Sequence, residues 1–130
     1  MNELIEEIKK ISNLSELNNN NLIDQNILFL AIVKSRRYDL LANVNININN
    51  NETLTELIDY LLSDTDIVYD MRRNGFLFSQ ETLNNIFKIV YQKYKGTYKF
   101  GDFFNDFFES KESLNLFVEN NEQFLRNYLN

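Results

Sequence analysis

The chain runs as a series of stretches whose apolar residues return every three or four positions, divided by short polar gaps. That spacing predicts consecutive amphipathic helices. From Glu3 to Ile11, Leu4, Ile8 and Ile11 share one face with Ile5 beside them, and Glu6 precedes Lys10 by one turn on the opposite face. Ser12 and Asn13 close this helix, and the Asn-rich stretch Leu14 to Asn21 reads as a loop. A second helix is predicted from Leu22 to about Arg37. Its run Ile27 to Val33 is apolar on every side, which places it at the centre of the core. Periodicity alone does not separate a buried helix from a buried strand here. Helix is chosen because Asn21 or Asp24 can cap its start, and Lys34, Arg36 and Arg37 suit its carbonyl end.

Further helices follow. Thr53 to Ser63 opens on Thr53-Leu54-Thr55-Glu56, the spelling of a capping box, and offers Leu54, Leu57, Ile58 and Leu61 to the core. Ser63 to Asp66 starts a short helix through Met71, which Asn74-Gly75 breaks. Ser79 caps Glu81 to Lys95, with Leu83, Ile86, Phe87, Val90 and Tyr94 on one stripe, and Gly96 stops it. Asp102 to Glu109, a helix capped by Ser110 and running to Glu119, and Gln123 to Leu129 complete the series. Only Asn43 to Ile48 alternates with period two. As a strand it would pair with Phe76–Phe78 or Thr97–Phe100; as an extended loop it would pair with neither. No linker divides the chain. The prediction is one compact all-α domain over residues 1–130, of six or seven short helices with room for one small β-hairpin.

Two fragments, Asn26 to Ala31 and Leu61 to Ile67, resemble pieces of the ankyrin repeat. They lack its Pro, His and loop Gly, and no 33-residue spacing links them, so no repeat family is assigned.

Composition narrows the chemistry. The 130 residues include no His, Cys, Trp or Pro. Triads built on His, Cys–His nucleophiles, the common zinc sites and disulfides are therefore excluded. Frequent Asn with Ile, Lys, Phe and Tyr fits A/T-rich codons and is discounted as a functional signal. The formal net charge is −6, the wrong sign for a uniformly phosphate-binding domain but suited to a basic partner or to solubility. The acidic start Met1 to Glu7 is unlike a signal peptide, and Ile27–Val33 is too short for a membrane span. A cytoplasmic protein that makes no membrane contact is expected; if the gene belongs to a phage, that cytoplasm is the bacterial host's.

Three constellations remain. Glu52, Glu56, Asp59, Asp64, Asp66 and Asp70 form an acidic block without an intervening basic residue. Its plain reading is a solvated outer face; its functional reading is a patch for a basic protein surface, on which charge reversal at Glu56 and Asp59 should weaken binding without unfolding. Phe103, Phe104, Phe107 and Phe108 cover one arc of a helix and read as core, or else as a partner or homodimer face. Lys88, Lys93, Lys95 and Lys99 interleave with Tyr91, Tyr94 and Tyr98 in a stretch without acids, the composition of a single-strand nucleic-acid platform or of a helix C-terminus. Asp64-x-Asp66 and Glu109-Ser110-Lys111 are two-letter matches to metal and nuclease sites, and Glu-x-Lys recurs at Glu7-Ile8-Lys9 on an ordinary helix. No enzyme, cofactor or metal is expected. A small acidic chain of this kind is similar in character to phage anti-defence proteins, anti-CRISPRs among them, and to toxin-immunity proteins. The expectation is a non-enzymatic protein that inhibits or sequesters a basic nucleic-acid-handling protein. The alternative is a nucleic-acid-binding or regulatory protein using residues 88–99.

Overall fold

A computed structural model describes residues 1–17, 22–43, 51–64 and 66–129. Among these it is all helical: α1 (Asn2–Lys10), α2 (Gln25–Ser35), α3 (Asn51–Ser63), α4 (Asp66–Arg73), α5 (Gln80–Tyr94), α6 (Tyr98–Asp106), α7 (Lys111–Asn120) and α8 (Glu122–Leu129), with 3-10 turns at Leu14–Glu16 and Tyr38–Asn43. No described residue lies in a strand. Phe76–Phe78 is a non-helical connection and Tyr98–Phe100 is helical, so neither offers a hairpin partner. Most of the alternating stretch, residues 44–50, lies outside the described residues. No described helix is long and apolar enough to cross a membrane.

The all-apolar run explains the centre. Leu28 to Val33 are each no more than 2% exposed, because α1, α3 and the Tyr38–Asn43 turn pack around α2. Asp24 caps α2 by accepting from the Asn26 and Ile27 amides at 2.8 and 3.3 Å. At the other end Arg36 takes a left-handed φ of 61° and the chain turns sharply. The next residue, Arg37, clasps α1. Its Nη1 donates to the carbonyls of Ile8 and Ile11 at 3.0 and 2.6 Å, satisfying the end of α1, while Nε and Nη2 fork onto Asp39 at 3.0 and 2.9 Å.

Beyond α2, α3 packs against α5 and α6, and α5 against α6 and α7. Local stops place these helices. Gly75 at φ 89° ends α4 through Gly75 N–H to Arg72 O at 2.9 Å and Phe76 N–H to Met71 O at 3.0 Å. Ser79 accepts from the Thr82 amide at 3.1 Å, and Ser110 from the Ser113 amide at 3.1 Å. Two starts differ from expectation. Helix α3 begins at Asn51, so Thr53 lies inside its first turn, and Thr55 reaches back to Asn51 O at 2.7 Å. Helix α6 begins at Tyr98, running through Gly101.

The Phe103–Phe108 cluster is core. Phe103 is fully buried, with ring centroids of Phe87, Phe104, Phe107, Phe108 and Phe117 between 5.1 and 5.8 Å away. Phe107 and Phe108 are buried too, and Phe104 is half-buried against the same cluster. A relay of rings, Phe29–Phe76–Phe78–Phe107 at 5.5, 5.0 and 5.9 Å, ties α2 to α6 through the α4–α5 connection.

Candidate functional site

The acidic block divides at the α3–α4 corner. On α3 its carboxylates are clamped by bases from distant parts of the chain. Lys34 Nζ reaches Glu56 at 2.6 Å, and Lys93 Nζ reaches Asp59 at 2.6 Å. The Tyr94 hydroxyl also donates to Asp59. Burial pushes the Asp59 carboxyl up, but the hydrogen bonds from Lys93 and Tyr94 outweigh it and leave the group below its ordinary range. The helix phase requires this arrangement: Leu54, Leu57, Ile58 and Leu61 face the core, which leaves Glu56 and Asp59 at the margins where α2 and α5 pass. Glu52 stands exposed in the first turn of α3.

The clamp joins two constellations that the sequence separates. Lys93 and Tyr94 belong to the basic aromatic segment, and both are spent on Asp59. Lys99 lies 5.2 Å from the Tyr94 ring, and Lys95 lies 5.2 Å from the Tyr91 ring and donates to its hydroxyl at 3.3 Å. Tyr98 and Lys88 remain exposed.

On α4 the picture reverses. Asp64 accepts from the Asp66 amide at 3.0 Å, opening the helix, and meets Arg36 only at 3.8 Å. Asp70 meets Arg73 only at 3.9 Å. Both guanidinium groups are mostly in solvent, 61% and 68% exposed, so these pairs are weak. Asp66 makes no ion pair among the described residues. Burying Ile67, Val68 and Met71 forces Asp66, Tyr69, Asp70 and Arg73 onto the outer face of this two-turn helix. Tyr69 stands 55% exposed among them, with the Arg73 guanidinium 5.7 Å from its ring.

Two acids of α6 extend this face. Arg72 donates through Nη2 to the Asp106 carbonyl at 2.8 Å, drawing α4 onto the end of α6. Burial pushes the Asp106 carboxyl up, Asp102 and Asp66 add to the rise, and Arg72 opposes it. Asp66 and Asp102 therefore each lie within electrostatic reach of Asp106. No described group of three or more acidic side chains is placed to hold a metal ion.

Glu56 and Asp59 thus each meet a close cation, whereas Asp64 and Asp70 meet theirs only at 3.8 and 3.9 Å and Asp66 meets none among the described residues. Tyr69 lies beside Asp66 and Asp70 on α4, and Asp102 and Asp106, which in the sequence form an acidic stripe opposite the Phe arc, approach this helix from α6. Tyr69 was legible as the residue one turn beyond Asp66; the approach of α6 was not, since it depends on how the Phe cluster folds α6 back. No family model, curated protein or solved structure matches the chain.

Proposed function

We propose that the protein is a non-enzymatic binding protein whose recognition surface is the outer face of α4, centred on Asp66, Tyr69 and Asp70 and flanked by Asp64, Asp102 and Asp106. The partner is a protein with a basic surface, and the consequence of binding is its inhibition or sequestration. The observation that carries this reading is that Asp66, which makes no ion pair among the described residues, and Asp102 both lie within electrostatic reach of Asp106, where Arg72 is the opposing charge. Like charges gathered on a surface oppose folding; a partner's lysines or arginines would relieve that repulsion. An exposed tyrosine among them supplies what interface centres favour, a rigid ring with a polar end. Nucleic-acid-handling proteins carry the matching basic surfaces, and inhibitors of the anti-CRISPR or toxin-immunity kind act on such surfaces.

The second reading uses Lys88, Lys95, Lys99 and Tyr98 as a nucleic-acid platform, and the 76% exposure of Tyr98 favours it. The clamping of Lys93 and Tyr94 by Asp59 weighs against it. A direct comparison tests both. The immobilised protein is presented with basic nucleic-acid-binding proteins and, separately, with single-stranded DNA and RNA. Retention of basic proteins that is lost in Asp66→Lys/Asp70→Lys supports the α4 face. Retardation of the oligonucleotides at moderate salt overturns it.

A further inference from the structure

Asn74 and Gly75 are the one Asn-Gly pair in an Asn-rich chain. Both are exposed, at the C-terminal end of α4. Asparagine is thermolabile because its side-chain carbonyl carbon can close a five-membered ring with the next residue's backbone nitrogen. Glycine puts no side chain in the path of that closure, and around Gly75 the space is open: a Cβ built there meets nothing within 4 Å.

We propose that Asn74–Gly75 is a self-modification site, gated by opening of the last turn of α4. The Gly75 nitrogen bonds to Asn74 Cγ, and the Cγ–Nδ2 bond breaks. The proton of the Gly75 amide departs with Nδ2 as ammonia, leaving a succinimide. Water then adds to one of the two ring carbonyls and the ring C–N bond breaks, giving Asp or isoaspartate at position 74. The net change is amide plus water to acid plus ammonia, and no redox partner is needed.

The folded turn engages both reacting groups in hydrogen bonds. Asn74 Nδ2 donates to Asp70 O at 2.8 Å, and the Asn74 amide is shared between Asp70 O at 3.2 Å and Met71 O at 3.1 Å. The Gly75 amide, the nucleophile, donates to Arg72 O at 2.9 Å. All of these bonds lie in a terminal turn, the kind of segment that opens locally at low cost. Reaction therefore proceeds from the frayed turn.

The product resists closing again. Either acid loses the Nδ2 donor to Asp70 O and sets a negative charge against the carbonyl end of α4, where the dipole disfavours it. Isoaspartate also lengthens the backbone by a methylene, which removes the register of the Phe76 N–H to Met71 O bond that stops the helix. Arg72 and Arg73, which link α4 to α6 and to Asp70, sit immediately before the altered residue. The modification would age this face whether or not it docks a partner.

The test incubates the purified full chain at mildly alkaline pH and maps peptides by fragmentation that distinguishes Asp from isoaspartate. Position 74 is expected to convert before every other Asn, with isoaspartate as the main product, and faster in urea than in buffer. Asn74→Gln, which would need a larger ring, should abolish conversion there while leaving other Asn residues unchanged. Conversion at position 74 no faster than at the Asn-Leu and Asn-Asn pairs overturns the site. A rate in buffer equal to that in urea overturns the gate.

Discussion

Lys93 on α5 and Asp59 on α3, 34 positions apart, meet at 2.6 Å. That one contact joins the acidic block to the basic segment. Asp64 and Asp70, by contrast, meet their arginines only at 3.8 and 3.9 Å.

Charge reversal should accordingly split the block. Asp66→Lys/Asp70→Lys is expected to leave the unfolding midpoint nearly unchanged and to slow association with a basic partner, the deficit shrinking as salt rises. Glu56→Lys and Asp59→Lys are expected to lower stability instead, since each sets a new cation against Lys34 or Lys93. Denaturation curves and association kinetics on the same variants check both halves.

Removal of the Arg37 clasp should be among the most damaging surface changes. Arg37→Ala leaves the Ile8 and Ile11 carbonyls without their charged donor, a loss of about 1.5–3 kcal/mol by the usual worth of hydrogen bonds to charged groups. Arg37→Lys is expected to restore less than half, because an ammonium cannot fork onto Asp39 while reaching α1. Urea denaturation of the three proteins measures this.

At Arg36 the expected sign is opposite. A non-glycine residue at φ 61° is held in a region that costs L-residues roughly 1–2 kcal/mol. Arg36→Gly should therefore raise stability, by less than that cost because the hydrogen bond with Tyr60 and the long pair with Asp64 are lost. Arg36→Val should lower it. Thermal melts of both variants decide.

In the aromatic core, Phe103→Ala should cost about 3–5 kcal/mol, and Phe104→Ala less, since Phe104 keeps one edge in solvent. Equal costs measured at the two positions would contradict the burial order.

Acid should act in two directions at once. The fork from Arg37 holds the Asp39 carboxyl below its ordinary range. Burial raises Asp59, but Lys93 and Tyr94 bring it below that range as well. Both contribute stability that is complete above the ordinary carboxylate pKa of about 4 and is lost as pH falls through the folded values. Asp106, raised by burial and by Asp102, costs stability while ionised and regains it as pH falls through its raised value. Asp106→Asn should thus stabilise the neutral protein, with a gain that vanishes in acid, whereas Asp59→Asn should destabilise it at neutral pH. Stability measured across the acid range for both variants checks the signs.

Local chemistry made much of the fold legible. Asp24, Ser79 and Ser110 mark helix starts and Asn74-Gly75 marks a stop because a cap is a property of a few adjacent residues. The Tyr38–Asn43 turn was not legible, since a 3-10 segment leaves no long period to detect. The early start of α6 was hidden by Gly101, which reads as a breaker yet is carried within the helix by packing on α5. The division of the acidic block was hidden for another reason: Lys34 and Lys93 reach Glu56 and Asp59 through tertiary structure, and a charge pattern along the chain holds no record of that.

The burial of α2 also sets how this protein fails. Ile27 to Val33 is an uncharged, Pro-free run with β-branched residues, the composition that stacks into intermolecular strands when uncovered. Lys34, Arg36 and Arg37 stand directly after it, as charged residues do beside segments of this kind. The cover on one side is α1, a nine-residue helix whose carbonyl end is fastened by Arg37. Detachment of α1 would uncover one side of the run. Shelf life in concentrated solution is then governed by how often that short helix detaches, and a variant with an unaltered melting temperature can still precipitate.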